Sequence, residues 1–355
     1  MQSNKPETSQ RMTYLDILRI AAIFAVIVVH ITACDWDSIP VTSIRWQVLN
    51  LYNAASRWCI AGFVLMSGRT FLAPERSLPF AVLLKKNILR MLLSLLFWST
   101  AYHLYETALG TGSIHAADLL CGIIKVFTLG ARRHLWFLYL MIGLYLLTPL
   151  LRRVVVRFST CQLVQGCIIL LLISGTVPFV LSGTPLYAVM QYVMQVPGLI
   201  GLFVLGFCLD RVTISARTMR LLCTAGIFGA VFTIVGTSLL SIYTGTATPL
   251  LYNNTAPNVV VPAIALLAFG KKRLYALSFG EKWDARITRF ASLTFAIYLI
   301  HDFFVIPLEL GLCGLSVGLL QPMLSVVTFS AWVLLLCTPV AYLLRKIPII
   351  NQYIA

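Results

Sequence analysis

The sequence predicts an all-α integral membrane protein, a bundle of about ten transmembrane helices with the N- and C-termini both in the cytosol. Two observations predict this fold class. Hydrophobic residues make up 59% of the 355 residues and charged residues only 11%, whereas a soluble domain carries about 25% charged residues. Lysines and arginines also lie in short clusters between apolar runs. Such a chain cannot cover itself with a polar surface, so we expect a lipid bilayer to be its partner.

Ten apolar runs approach the roughly 20 residues that a helix needs to cross a bilayer. The sixth and eighth are short, so we expect them to be tilted, extended into their flanks, or broken. Pro197, Pro257 and Pro262 favour breaks, because proline removes a backbone donor. A further stretch, 117–129, is too short to span and is expected to lie in the interface or to fold back. The predicted spans are 14–34, 46–72, 87–106, 134–151, 163–183, 196–209, 221–243, 257–270, 290–311 and 322–344.

The placement of lysine and arginine gives the bundle a direction, because cytosolic loops carry an excess of both. With the N-terminus inside, 22 of the 27 lysines and arginines fall on the cytosolic side. Three outer loops, near 184–195, 244–256 and 312–321, carry neither. This asymmetry favours an even number of spans. We expect residues 1–13 to form a short cytosolic tail before an uncleaved first helix, and residues 1–355 to form a single transmembrane domain.

Net charge and cysteine usage argue against several other classes. The net charge of +15 does not indicate a nucleic-acid partner, because the charges lie between apolar runs rather than on one face. The nine cysteines are odd in number, include no C-x-x-C motif and sit mostly in apolar runs, as small packing residues do. We therefore expect no disulfide framework and no metal site. The oligomeric state is left open.

Ionisable side chains inside spans are costly in lipid, so each invites a functional explanation. The first span contains three of them, Asp16, Arg19 and His30. At about 100° per residue, the path from Arg19 to His30 closes three turns to within about 20°, so these side chains share one face over about 16 Å of helix axis. Asp16 and Arg19 could equally be an interfacial pair, and His30 a hydrogen-bonded packing residue.

The second and fourth spans add further polar candidates. Arg57 lies deep in the second span and could polarise a bound carbonyl group, although a structural pairing with a carboxylate is an equal alternative. Arg69 lies nearer the cytosolic surface. The fourth span begins on the outer side with His134, Trp136 and Tyr139. His134 is either a site residue or a surface residue, and the two aromatic side chains also suit an interfacial belt.

The ninth span carries Tyr298 and His301, which lie three residues apart and so are neighbours on one helix face. Asp302 follows at once. A histidine near the bilayer centre beside a carboxylate indicates a site rather than packing. Asn253 and Asn254, in an uncharged outer loop, could touch a substrate, but a solvated loop is the simpler interpretation.

Four short motifs together resemble a known family. The first span has D-x-x-R followed by R-x10-H, and the second reads NAASRWCIAGFVLMSGRTFL, with Ser-Arg and Ser-Gly segments. The fourth begins HLWFL, and the ninth contains IYLIH. In this order, over residues 12 to about 345, the motifs resemble the acyltransferase 3 family of membrane O-acyltransferases. They are nearest to the branch that includes the enterobacterial common antigen O-acetyltransferase.

The resemblance implies a multi-pass enzyme of the bacterial inner (plasma) membrane. Such enzymes take an acyl group, usually acetyl, from cytosolic acyl-CoA and deliver it to a hydroxyl of a glycan or a lipid-linked sugar. His30 matches the family's proposed catalytic histidine. Its imidazole could act as a general base or carry the acyl group itself.

A basic cluster at the start of the third span is a candidate site for the CoA phosphates, helped by the helix N-terminus. Ordinary positive-inside anchoring is the alternative. The family's Arg-x-x-Arg segment is replaced here by a stretch in which Asn87 takes the first place. The expected residues are His30, Arg19 and Asp16 for catalysis, Arg57, Ser67, His134, Trp136, Tyr139, Tyr298 and His301 for the acyl channel or acceptor side, and Lys85, Lys86, Arg90 and Arg69 for acyl-CoA.

Two other functions suit parts of the sequence. A secondary transporter would also combine ten spans, proline-interrupted helices and buried charges, but it should show paired broken helices in two related halves, and none are visible. A non-enzymatic assembly or sensing protein is the third possibility, and the sequence alone leaves it open. The acyltransferase interpretation accounts for histidines on three spans and for the polar track through the first one.

Overall fold

All the regular secondary structure in the described part of the chain is helical. This computed structural model contains no strand in its described residues, which confirms the predicted all-α class. The described residues are 13–128, 132–274, 279–314, 317–318 and 320–354. Residues 1–12 of the predicted N-terminal tail lie outside them. The α-helices are α1 (Thr13–Ala33), α2 (Ile44–Ser56), α3 (Trp58–Phe71), α4 (Phe80–Val82), α5 (Leu89–Thr111), α6 (Ala116–Phe127), α7 (Trp136–Arg157), α8 (Thr160–Val180), α9 (Tyr187–Val193), α10 (Gln195–Arg211), α11 (Ala216–Thr244), α12 (Pro257–Phe269), α13 (Glu281–Ala291), α14 (Thr294–Glu309), α15 (Pro322–Lys346) and α16 (Pro348–Tyr353).

Seven helical stretches of the described residues are long and apolar enough to cross a membrane. An eighth is added if α13 and α14, which meet at an angle of 54°, count as one bent span. The chain is therefore an integral membrane protein built from helices. The seven stretches are Thr13–Ala33, Arg133–Arg157, Thr160–Val180, Tyr187–Arg211, Ala216–Thr244, Leu250–Leu274 and Pro322–Lys346.

Three of the ten predicted spans are not among these seven stretches: 290–311, which corresponds to the bent pair of α13 and α14, and the second and third spans. The predicted second span consists of α2 and α3, of 13 and 14 residues, which meet at Arg57. Each is too short to cross a bilayer alone. The predicted third span corresponds to α5, which has 23 residues but carries polar side chains along its second half. The count of about ten spans and the cytosolic position of both termini therefore remain predictions.

The two short predicted runs are extended into their flanks. The sixth run lies within the continuous stretch formed by α9 and α10. The eighth is α12, preceded by the 3-10 turn Leu250–Tyr252 and followed by the π-helical turn Gly270–Leu274. Pro257 occupies the first turn of α12, where a proline removes no intrahelical hydrogen bond. Pro262 lies inside α12, which continues past it.

The apolar stretch predicted to be too short to span is α6, a helix of 12 residues. It packs against α5, and a Cβ at Gly122 would lie 3.0 Å from the Cα of Thr100. The rest of its surface is largely exposed, including Leu120 and Phe127. Residue 129, the last of the predicted stretch, lies outside the described residues.

The first helix, α1, is the centre of the bundle. It packs against α2, α3, α13, α14 and α15, and 12 of its 21 residues are buried. A helix that is apolar on nearly every side is stable only where other apolar surfaces surround it. The face that carries Asp16, Arg19 and His30 is therefore enclosed by other helices.

Close contact between α3 and α10 holds the second half of the bundle against the first. A Cβ added at Gly206 would lie 2.0 Å from the carbonyl oxygen of Leu65. A Cβ added at Gly68 would lie 1.7 Å from the carbonyl oxygen of Phe203. Small residues let membrane helices approach until their backbones touch, which increases van der Waals packing where the hydrophobic effect is absent.

We expect Gly206→Ala to lower the free energy of unfolding by about 1–3 kcal/mol, because the added methyl group forces the two backbones apart. Gly143→Ala is the matched control, since a Cβ there meets nothing within 4 Å. Thermal unfolding in detergent measures both. Unfolding midpoints that do not differ between the two variants would contradict the backbone contact between α3 and α10.

Candidate active site

Three histidines from distant parts of the chain meet in the interior. His30 lies near the end of α1, His134 in the 3-10 turn before α7, and His301 in α14. The centroid of the His301 ring lies 5.0 Å from that of His30 and 4.9 Å from that of His134, and the other two are 5.9 Å apart. His134 and His301 are buried, whereas His30 is half-buried. The structure thus brings together histidines that the sequence placed on three separate spans.

A buried carboxylate accompanies the three imidazoles. Asp302 is 1% exposed, and its Oδ2 lies 3.3 Å from Nδ1 of His134. The same oxygen accepts a hydrogen bond from Nε of Arg132. Because this guanidinium lies against it, the Asp302 carboxylate keeps its charge balanced where solvent is absent.

Arg132 reaches two further carboxylates. It donates hydrogen bonds to Oε1 of Glu106 at 2.8 Å and to Oε2 of Glu309 at 2.5 Å. Burial alone would lower the pKa of Arg132, but the carboxylates of Asp302 and Glu309 outweigh burial and raise it above its ordinary value. The guanidinium therefore stays protonated and joins α5, the start of α7 and α14.

Hydrogen bonds fix the ring of His301 and the main chain at His134. Nδ1 of His301 lies 2.7 Å from the carbonyl oxygen of Tyr298. A carbonyl only accepts, so we assign the hydrogen to Nδ1, which leaves Nε2 as the basic nitrogen of the neutral ring. Nε2 has no hydrogen-bond partner among the described residues. The hydroxyl of Tyr298 donates to the carbonyl oxygen of His134 at 2.5 Å. This hydrogen bond connects α14 to the 3-10 turn before α7.

The cluster also has donors that could hold a metal ion. One ring nitrogen each of His30 and His301 and one carboxylate oxygen of Asp302 lie within 4.8 Å of one another. Arg132, however, already compensates the Asp302 carboxylate. The result is an Arg–Asp–His network in which an imidazole nitrogen can take up or release a proton.

Two cavities adjoin this part of α1. The Arg19 cavity has a volume of about 170 Å³ and a largely apolar wall that includes Arg19, Ser67 and Tyr298. The His30 cavity has a volume of about 350 Å³ and contains more polar side chains. Val26 and Ile60 line both cavities, so the cavities adjoin there. Arg19 lines one of them and His30 lines the other.

The His30 cavity is surrounded by groups that suit a polar molecule. Besides His30, its wall carries Arg57, Arg133, Trp136, Tyr192, Gln195 and Asn254. Gln195 and Asn254 come from the start of α10 and the loop before α12, and Nδ2 of Asn254 donates to Oε1 of Gln195 at 3.4 Å. Asn254 is therefore more than a solvated loop residue, because the fold places it in the wall of the His30 cavity.

The structure separates the remaining predicted residues into those near the cavities and those elsewhere. Asp16 is buried, binds Arg19 at 3.0 Å and accepts a hydrogen bond from Thr288 at 3.1 Å, so it orients the arginine that lines the Arg19 cavity. The hydroxyl of Tyr139 points away from the other site residues and donates to the carbonyl oxygen of Val126, on α6, at 2.5 Å.

The four residues predicted to bind acyl-CoA fall into two places. Lys85 and Lys86 are exposed on the π-helical turn before α5. Arg90 follows them, and its guanidinium lies 5.2 Å from the ring of Phe295, which lines the Arg19 cavity. Arg69 lies apart, in an ion pair of 2.7 Å with Asp210.

Sequence reasoning missed the residues that hold the cluster together. Arg132, Glu106 and Glu309 stand at the ends of predicted spans, where charged residues are common and draw no attention. Asp302 was visible beside His301, but no sequence signal indicated that its partner is Arg132, 170 residues away.

Arg132→Gln is expected to destabilise the protein by about 3–5 kcal/mol, because it leaves a buried carboxylate without its cation. The neighbouring Arg133→Gln is the control, since Arg133 is 61% exposed and binds only Glu309 among these carboxylates. Thermal unfolding in detergent gives both values. The double variant Arg132→Gln/Asp302→Asn should recover part of the loss, and a loss that is equal for the two arginines would refute the role given to Arg132.

Comparison with known proteins bears on the family. A family profile described as an acyltransferase domain matches residues 12–344, nearly the whole chain. No curated protein matches the chain, and no solved structure matches it. The profile confirms the resemblance that the four motifs indicate. The chain belongs to the acyltransferase 3 family and is a membrane acyltransferase.

Proposed function

We propose that this protein moves an acyl group, with acetyl as the proposed group, from cytosolic acyl-CoA to a hydroxyl of a cell-surface glycan or lipid-linked sugar. The observation that carries the proposal is the pair of adjoining cavities beside α1, one at Arg19 and one at His30, in a chain of an acyltransferase family. In this proposal, the acyl group passes from the first cavity to the second along α1 and so reaches the histidine. A transporter would not need three converging histidines at the end of that route.

The donor enters at the Arg19 end. Lys85 and Lys86 are exposed beside α5, and Arg90 stacks over Phe295 at the wall of the Arg19 cavity. These cations suit the phosphates of CoA, while the narrow and largely apolar cavity suits its thioester arm. Arg69 has Asp210 as its partner, so in this proposal it supports the surface rather than holding the phosphates.

The chemistry takes place at His30. As a general base, a ring nitrogen takes the proton of the acceptor hydroxyl while the oxygen attacks the thioester carbonyl carbon. The tetrahedral intermediate then expels CoA as a thiolate, which recovers the proton. As an acyl carrier, the nitrogen attacks first and displaces CoA as a thiolate, which takes the proton of the imidazole N–H. The acceptor hydroxyl then takes the acyl group and gives its proton back to the imidazole. Both routes give the same products, and Asp302 nearby would stabilise a charged imidazole.

The proposed setting is the bacterial inner membrane, with the N-terminus in the cytosol. The distribution of lysine and arginine supports this orientation. Arg19 then faces the compartment that contains CoA, and the His30 cavity faces the opposite side. The nearest branch is that of the enterobacterial common antigen O-acetyltransferase, which the motifs support and which makes acetyl the first acyl group to test.

His30→Ala should lower the rate of acyl transfer by about 10²- to 10⁴-fold, the usual contribution of a general base, with little change in the binding of acetyl-CoA. The assay mixes purified protein with labelled acetyl-CoA and a panel of glycan and lipid-linked acceptors. His103→Ala is the control, because His103 contacts Lys125 rather than the cluster. Unchanged transfer by His30→Ala would remove His30 from the mechanism, and no use of acetyl-CoA by the native protein would refute the proposed function.

Lys85→Gln/Lys86→Gln should raise KM for acetyl-CoA by about 2- to 10-fold with kcat nearly unchanged, since each exposed ion pair contributes up to about 1 kcal/mol. The difference should shrink as salt is added. Lys282→Gln, an exposed lysine on α13, is the control. A KM that does not depend on Lys85 and Lys86 would place the CoA phosphates elsewhere.

A further inference from the structure

The wall of the His30 cavity has an unbalanced charge. Arg57 and Arg133 both line it, and none of its lining residues is an aspartate or glutamate. Arg133 is mostly exposed and binds Glu309 at 2.7 Å, so its charge is compensated. Arg57 is the cation that needs an explanation.

Arg57 is held by neutral groups. Its Nε donates to Oδ1 of Asn53 at 2.7 Å, and its guanidinium lies 4.2 Å from the centroid of the Tyr252 ring. Within the described parts of the chain, no carboxylate oxygen lies within 4 Å of it. At least one such oxygen lies within 4 Å of each of Arg19, Arg45, Arg69, Arg132, Arg133 and Arg211. A half-buried cation in a membrane protein normally has an anionic partner, because its desolvation is otherwise uncompensated.

The groups that hold Arg57 are themselves fixed. Nδ2 of Asn53 donates to Oγ1 of Thr32 at 2.8 Å, in a buried contact. The hydroxyl of Tyr252 donates to Oδ1 of Asn50 at 2.5 Å. Two short networks therefore position the guanidinium at the break between α2 and α3. Such preorganisation lowers the cost of binding a partner from outside the chain.

We propose that the His30 cavity binds an acceptor sugar that carries an anionic group, a carboxylate or a phosphate, and that Arg57 is the partner of that anion. This inference rests on the proposed function and adds the class of its acceptor. Trp136 offers an aromatic face to the sugar ring, and the side-chain amides of Gln195 and Asn254 suit its hydroxyls. The cavity volume of about 350 Å³ falls in the range of small-molecule sites.

A different role for Arg57 would be to polarise the acyl carbonyl as the oxyanion forms. The two roles differ in what they depend on. An arginine that binds the acceptor's anion affects only acidic acceptors and acts through binding. An arginine that stabilises the oxyanion affects every acceptor and acts through kcat.

The experiment uses the purified full-length protein in lipid nanodiscs with acetyl-CoA and three forms of one oligosaccharide. These are a form containing a uronic acid, the same form with its carboxyl group reduced to an alcohol, and a phosphorylated form. Transfer kinetics and direct binding by calorimetry are measured for the native protein, for Arg57→Gln and for Arg57→Lys. Arg45→Gln is the control, because Arg45 has its own partner in Asp35.

We expect the native protein to bind at least one acidic form about 10- to 100-fold more tightly than the neutral form, as a charged hydrogen-bonded pair would give. Arg57→Gln should remove this preference by raising KM for the acidic form alone, and Arg57→Lys should keep part of it. The carboxylate and phosphate forms show which anion is preferred. Arg45→Gln should behave as the native protein does.

Two results would overturn the inference. One is a native protein that binds acidic and neutral forms equally. The other is a fall in kcat that is the same for all three forms in Arg57→Gln, which would assign Arg57 to the oxyanion. If Arg57→Gln does not fold, the preference of the native protein and the behaviour of Arg57→Lys still decide the matter. The binding measurement does not need transfer, so failure of the proposed function is recognised separately, as acetyl-CoA that is never consumed.

Discussion

An ionised carboxylate in the interior of a membrane protein requires a cation in contact with it, since lipid and apolar side chains offer it no solvation. Asp302 meets this requirement through Arg132. The same guanidinium binds Glu106 on α5 and Glu309 at the end of α14. Because His134 follows Arg132 by two residues and His301 directly precedes Asp302, the ion pair between Arg132 and Asp302 also sets the positions of two imidazoles.

The third imidazole, that of His30, is positioned by helix packing rather than by an ion pair. His30 is carried by α1, which is enclosed by five other helices and so has little freedom to rotate or slide. The contact between α3 and α10, backbone against backbone, gives α1 a firm wall on one side. Packing thus places His30, and electrostatics places its two neighbours. The candidate site lies where these two kinds of constraint meet.

Two features of the sequence allowed predictions: the helical periodicity, and the free-energy cost of placing ionisable side chains in lipid. The helical repeat put Asp16, Arg19 and His30 on one face, and the expense of ionisable groups in lipid singled out His134 and His301. Long-range partners could not be predicted in this way. Nothing local to Arg132 identifies Asp302, and nothing local to Asn254 places it in the His30 cavity. The break at Arg57 was also missed, because the apolar run 46–72 continues on both sides of it.

Val26 and Ile60 have a consequence for the membrane as an electrical barrier. They line both cavities, so the boundary between the two is apolar. A proton or metal ion that crossed there would lose its hydration and find no polar group in exchange, a cost of many kcal/mol. A neutral, flexible acyl chain has no such cost. The same two side chains therefore let the bundle contain two adjoining recesses beside α1 without dissipating the ion gradients that the bilayer maintains.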